Sequence, residues 1–444
     1  MAHGECHASC SSLFGCGESG PGLRGGEDLA AHLLDRRARD RLPRLGVSGE
    51  AMDELLTARG RERRSLLRGG GVLGAMVAAG PLFTAACTSP RAQATPAGGG
   101  PAAGAMPAGF GAPDPAAGRV HVVPSNPQTV RLGVFDTTLP LVAEVESGDV
   151  VSYPNTWTHF LDRMQPGVPV EQLAQWRREN PGKGPHSIIG PVGVRGARPG
   201  DALEIRYLRV RPRPWAANFN NPGALGTGAL ADLFPEGQVR YLDLDLSRMT
   251  TRFADGIELP LQPFQGTLGV APPAGWLGST TGVVSSVPPG PHGGNVDLRE
   301  LAEGTRLYLP VWQPGAKIFT GDSHALQGDG EVNLTALETA MEELRIQVVL
   351  HPGAGLEWPF AETATHWIAL GMDKSLDTAF RIALVNAIDF LSRRAGLSRL
   401  DAYALCSLGV SFRITQVVDV NKGVHAMIPK AIFDPALRDR VKVA

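Results

Sequence analysis

The sequence predicts a mainly β fold, on two observations. Glycine (55) and proline (36) are abundant while aromatic residues make up 6% of the 444 residues, and so many breakers imply short segments joined by turns. From residue 119 onward, turn signals repeatedly precede short alternating apolar runs, the pattern of half-buried strands.

Residues 130–135 and 141–145 alternate in this way. Ser147-Gly148-Asp149 launches 150–153, Arg198-Pro199-Gly200-Asp201 launches 202–207, and Glu303-Gly304-Thr305 launches 306–311. Gly-Asp before a strand is ordinary turn chemistry, so Asp149 and Asp201 are read as turn residues. Two segments read as helices. Residues 171–180 follow Pro169 and carry Leu173 and Trp176 at helical spacing. Residues 376–395 place Ala379, Ile382, Ala383, Val385, Ile388 and Leu391 on one stripe, with Gly396 as a stop. The segment 334–350 is ambiguous. Its Ala, Leu, Met and Glu content favours helix, whereas 344–349 alternates as a strand and is assigned to one.

The length is enough for roughly two to three domains. Apolar residues are 43% and charged residues 19%, a globular composition. A net charge of -2 offers no electrostatic case for nucleic acid. Cys6, Cys10, Cys16 and Cys87 all precede a Pro/Gly-rich stretch and only Cys406 follows it, so no disulfide framework is expected in the body.

The N-terminal region reads as an address. Arg61-Glu62-Arg63-Arg64-Ser65-Leu66-Leu67-Arg68 precedes a weakly apolar, glycine-interrupted stretch that ends near Cys87. This is similar to a twin-arginine export signal. Thr84-Ala85-Ala86-Cys87 loosely matches a lipoprotein box, and cleavage after Ala92-Gln93-Ala94 is the competing reading. The expected organisation is a leader or misassigned start over 1–62, a signal segment over 63–94, a Pro/Gly/Ala linker over 95–118 and a folded body over 119–444. Cys6 and Cys10 beside His3 and His7 are assigned to the leader rather than to a metal site.

The most chemical stretch is Gly321-Asp322-Ser323-His324-Ala325-Leu326-Gln327-Gly328-Asp329-Gly330-Glu331, with three carboxylates and an imidazole among small residues. In an extended segment Asp322 and His324 share a face. Oxygen ligands beside an imidazole, with a spare carboxylate nearby, suit a metal-activated water and its general base. The bland alternative is a polar hairpin tip.

Other motifs fall in order around it. Gly184-Pro185-His186-Ser187-Ile188-Ile189-Gly190-Pro191-Val192 precedes Gly196-Ala197-Arg198-Pro199-Gly200-Asp201. Pro263-Phe264-Gln265-Gly266-Thr267-Leu268-Gly269-Val270-Ala271-Pro272 follows, and then His292-Gly293-Gly294-Asn295-Val296-Asp297 before Leu307-Tyr308-Leu309-Pro310-Val311. Together these resemble the acetamidase/formamidase family over residues 119–444. The resemblance implies hydrolysis of a small linear amide to carboxylate and ammonia. It also implies a mainly β fold with a β-sandwich-like portion plus smaller barrel and α/β elements, and no cysteine nucleophile. Cys406, in an apolar setting, is accordingly read as a structural thiol.

Amide hydrolysis needs an activated water, an oxyanion stabiliser and an acid for the departing nitrogen. Asp322 and His324 are assigned as metal ligands with His292 as a further one, and Glu331 as the general base. Asn295 is assigned to orient the substrate amide, with Asp297 bracing the same loop, and His186 to proton transfer. His159, His351, His366 and His425 read as structural histidines, and His366 is the best outsider because Glu362 would meet it at helical spacing. Zinc is the first choice of divalent metal, with calcium or manganese as alternatives. The expected partner is a small-molecule amide, with homo-oligomerisation, no nucleic acid, and membrane contact only through export or a lipid on Cys87. The rival function is a non-catalytic envelope binder on the same scaffold.

Overall fold

The structure, a computed structural model, describes residues 118–444. The leader, signal segment and linker lie outside the described residues, as do Cys6, Cys10, Cys16 and Cys87. The described chain is mostly strands, as predicted, in two large sheets and one two-stranded ribbon.

The first sheet has nine strands. Its central ladder pairs Met341–His351 with Ala202–Pro212, and Ala202–Pro212 with Arg306–Pro310, all antiparallel. The second has eleven strands built around Ile318–Leu326, which pairs with Phe264–Gly269, Leu337–Thr339 and Ser187–Val194. The two sheets pack face to face. Val151, Ile205, Leu307 and Ile346 of the first meet Ile189, Val192, Leu268 and Ile318 of the second in one buried cluster. That is the sandwich. Fully burying a side chain of this size stabilises by about 1.5–3 kcal/mol, so this interface sets the relative position of the sheets.

The far edge of the nine-stranded sheet supplies the α/β portion. Strands Phe360–Glu362, His366–Asp373, Lys422–Pro429 and Ser411–Gln416 run antiparallel, and helices Leu376–Arg394 and Arg399–Gly409 pack against them. Ser375 and Ser398 cap these helices by accepting from Thr378 N and Asp401 N. Cys406 is buried on the second helix, and burial pushes its thiol up to about 11, which fits a structural role.

The helices expected at 171–180 and 376–395 are present as Val170–Glu179 and Leu376–Arg394. The ambiguous segment resolves to strands, Leu337–Thr339 and Met341–His351. Its helix-favouring composition yields to cross-strand pairing on both sides. Asp149 accepts from Arg119 N and Glu146 N, and Asp201 accepts from Arg198 N, as turn residues do.

Two expectations need correction. No closed barrel is present among the described residues; the second sheet is open and branches at Ser187–Val194. Glu362 and His366 do not meet on a helix but lie on consecutive strands of a hairpin, where Glu362 pairs with Trp367. Glu362 is engaged by Tyr308 and Lys430 instead. No helix of the described residues is long and apolar enough to cross a membrane.

Candidate active site

The site grows from Ile318–Leu326. Asp322 and His324 are two residues apart on this strand, and both are buried. Their facing atoms, Asp322 Oδ2 and His324 Nε2, are 3.4 Å apart. Asp322 is not in ordinary extended backbone, however; its φ is 57°. Gln265 Nε2 donates to the Gly321 carbonyl just before it, which helps hold this bend. Next door, Leu337–Thr339 pairs His324 with Glu338, and Glu338 Oε2 lies 3.2 Å from His324 Nε2. The other Glu338 oxygen is occupied, accepting from Ala336 N at 3.0 Å.

Two further imidazoles arrive from outside the strand. His186, just ahead of Ser187–Val194, presents Nε2 3.8 Å from Asp322 Oδ2, while its Nδ1 is 2.8 Å from Ser286 Oγ. His159 Nε2 lies 3.7 Å from Asp322 Oδ1 and 3.5 Å from Glu338 Oε2. His159 opens a turn in which Phe160, Leu161 and Asp162 all have left-handed φ (56°, 60° and 64°). Left-handed backbone costs roughly 1–2 kcal/mol per L-residue. The turn is clamped on several sides. Phe160 N donates to Pro185 O, Leu161 N to Ser187 Oγ, and Thr158 N and Arg213 Nη1 to Asp162 Oδ1. Asp297 and Glu331 also have positive φ, both 48°. Strained non-glycine backbone clustered at one place is a mark of a functional site.

A second group of carboxylates adjoins the first. Asp297, Glu331 and Asp419 are all buried, with one oxygen from each within 4.8 Å of the others, and Glu331 stands in the same relation to His324 and Glu338. Glu331 therefore bridges the two groups. A cavity of about 210 Å³ is lined by His159, His186, Asn295, Asp322, Glu331, Glu338 and Asp419. Thr267 Oγ1 donates to Asn295 Oδ1 and lies 3.3 Å from Asp322 Oδ2.

Five carboxylates thus share one buried region with three imidazoles, and the charges settle accordingly. Burial opposes ionisation of Asp322, but His186, His324 and His159 outweigh it and hold that carboxyl well below the usual range. Burial also opposes a charge on His324, and Glu338 and Asp322 overcome it, raising its pKa well above normal. Burial pushes His159 down to about 3 and lowers His186. Burial and then neighbouring carboxylates raise Asp297 and Glu331 well above their ordinary values. Burial likewise lifts Glu338 and Asp419, each to about 7.

The donor set fits a divalent cation. Asp322 Oδ1, His324 Nε2 and Glu338 Oε2 are buried without hydrogen-bond partners, a costly state for polar atoms unless something else binds them. Where the donor atoms of Asp322, His324, Glu338, His159 and His186 face one another they stand 3.2–3.8 Å apart, and those of His324 and Glu338 have no hydrogen-bond partner. These separations are close to the about 3.3–3.6 Å edges of a tetrahedron with metal–ligand bonds of about 2.0–2.2 Å. His159, His186, Asp322, His324 and Glu338 could hold a metal.

The predicted residues are distributed unevenly. Asp322, His324, Glu331, His186 and Asn295 come together at or around the cavity. His292 is not among the residues lining this cavity; both its ring nitrogens are buried without partners and the ring sits edge-on to Phe135 and Trp276. His351 donates to Glu204, and His425 lies 2.8 Å from Thr415 Oγ1. Sequence reasoning did not single out Glu338 or Asp419, and it read His159 as structural, whereas its Nε2 here faces Asp322 and Glu338. The alternation of 344–349, extended backward, was the one signal that could have placed Glu338 on a strand.

The sequence profile of the Acetamidase/Formamidase family matches residues 135–282 and 279–359. The formamidase of Methylophilus methylotrophus is 26% identical over 319 residues, covering 57% of this chain and 78% of that protein. Among solved structures, an acetamidase from Bacillus halodurans superposes with a TM-score of 0.62 at 28% identity, covering 70% of this chain and 98% of that one. An acetamidase from Yersinia enterocolitica gives 0.61 at 29% identity, covering 70% and 92%.

Proposed function

The chain belongs to the acetamidase/formamidase family, and from that premise we propose that it hydrolyses small linear primary amides to carboxylate and ammonia with the aid of a divalent metal. As an enzyme it is a hydrolase of non-peptide C–N amide bonds. The single observation carrying the metal reading is the convergence of buried, partnerless ligand atoms from Asp322, His324 and Glu338 upon His159 and His186.

When bound there, a divalent cation supplies Lewis acidity toward a carbonyl and lowers the pKa of a water. Zinc suits a set of three imidazoles and two carboxylates, and manganese is the nearer alternative to calcium for so many nitrogen donors. The protein's own groups divide the remaining work. Glu331 lines the cavity between the ligand set and the Asp297–Asp419 pair, where it takes a proton from the attacking water and returns it to the departing nitrogen. Its burial among carboxylates favours holding that proton between the two transfers. Asn295 has its oxygen occupied by Thr267, so its Nδ2 is the donor for the substrate carbonyl. The balanced reaction is amide plus water giving carboxylate and ammonium.

Export through a twin-arginine signal with Arg63-Arg64 is part of the proposal. That route carries folded proteins, which suits an enzyme loaded with metal before it leaves the cytoplasm. Glu331→Gln tests the central role: ammonia release from acetamide is expected to fall at least about a hundredfold, with the circular dichroism spectrum and metal content retained. Undiminished turnover in that variant would remove Glu331 from the mechanism.

A further inference from the structure

The catalytic cavity has a neighbour that amide-bond chemistry does not use. A cleft of about 640 Å³ opens beside it, with Leu230, Phe234 and Val332 among its lining residues. The two spaces share walls. Asn221 lines both. Along the chain, Glu331, Leu334 and Thr335 border the catalytic cavity while the intervening Val332 and Asn333 border the cleft. The opposite wall alternates in the same way, with Leu225 and Thr227 on the cavity and Gly228 and Leu230 on the cleft. Ala229 N donates to Val332 O at 2.8 Å and ties the two walls together. Gly228 permits that approach, because a Cβ there would stand 3.0 Å from Asn333 O.

The cleft carries large apolar side chains in the open: Leu230 is 53% exposed, Phe234 60% and Val332 62%. Apolar residues clustered and exposed around one concavity mark a binding surface. The catalytic cavity alone, about 210 Å³, is smaller than the roughly 300–1,000 Å³ of pockets that enclose larger ligands. It accommodates the amide head and leaves the rest of a longer molecule to the adjoining space.

We propose that this cleft is an acyl subsite, so that the substrate is a primary amide bearing an apolar acyl group of several carbons or an aromatic ring. This rests on the amide-hydrolase reading above. In that reaction the nitrogen of the substrate carries only hydrogens, so the acyl group is the part that varies and the part the cleft receives.

The test is ammonia release by the full-length, zinc-supplemented protein from formamide, acetamide, butanamide, hexanamide and phenylacetamide. The expected result is a kcat/KM rising by about fourfold per methylene up to hexanamide, the value of a buried CH2. Leu230→Asp, at an exposed position, is expected to lower the hexanamide-to-acetamide ratio of kcat/KM at least tenfold. Values that are flat or fall with chain length, or a ratio unmoved by Leu230→Asp, would overturn the subsite and leave the amidase reading standing. Sedimentation in which Leu230→Asp dissociates an oligomer while the ratio stays unmoved would overturn it as well, assigning the cleft to a second copy of the chain. Absence of ammonia from every amide would overturn both readings.

Discussion

His324 lies between two carboxyl groups: Asp297 Oδ1 is 3.9 Å from its Nδ1 and Glu338 Oε2 is 3.2 Å from its Nε2. Were His324 to hold a metal through Nε2, a carboxyl group beside its Nδ1 would favour the proton on that nitrogen and raise the ring's basicity. Asp297→Ala is therefore expected to weaken zinc binding by about 10–100-fold, measured by competition with a chromogenic chelator. Unaltered affinity would reduce Asp297 to a loop brace.

Gly266 faces the same imidazole. A Cβ at this position would meet His324 Cε1 at 2.5 Å and Asp297 Oδ1 at 2.6 Å, and both side chains are buried. Gly266→Ala is expected to destabilise by about 1–3 kcal/mol and to lower amide turnover disproportionately. Urea denaturation alongside ammonia assays would separate the two effects.

The left-handed turn after His159 stores strain that glycine can relieve. Leu161 has φ 60° and a half-exposed side chain, and its main-chain hydrogen bond to Ser187 Oγ does not depend on that side chain. Leu161→Gly is expected to raise stability by about 1 kcal/mol, read as a higher urea midpoint, with activity retained. A loss of stability would mean that packing by the leucine outweighs the backbone cost.

Much of this was legible in the sequence, and the limits have physical causes. Asp322 and His324 could be paired from spacing alone because a strand repeats every two residues. The helix Leu376–Arg394 was legible from its stripe and stop. Glu338 was not, because what brings it to His324 is the register between Leu337–Thr339 and Ile318–Leu326, a non-local pairing that leaves no local mark. His159 is delivered by a left-handed turn that propensity disfavours, and Asp419 comes to Asp297 and Glu331 from near the C-terminus. For His292 the sequence left a ligand and a turn histidine in a Pro/Gly loop both open, and the packing of its ring against Phe135 and Trp276 comes from contacts distant in the chain.

Away from the site, Glu204 links charge to stability. Burial alone would raise its pKa, but hydrogen bonds from His351 and Arg206 and the charges of Arg206 and Arg306 prevail and hold it at about 2. Because the folded value lies below the unfolded value of about 4.3, its contribution is fully present above that pH. It is lost as pH falls from there through about 2. Glu204→Gln is expected to cost about 3 kcal/mol at pH 7, and the gap from the parent protein should narrow below pH 4. A gap constant across that window would contradict the assignment.

The most direct test of the site as a metal-assisted amidase centre is ammonia release from a primary amide before and after metal removal. Full-length protein dialysed against a strong chelator should lose turnover, and one equivalent of zinc or manganese should restore it. Full activity in protein shown by elemental analysis to be metal-free would contradict the account.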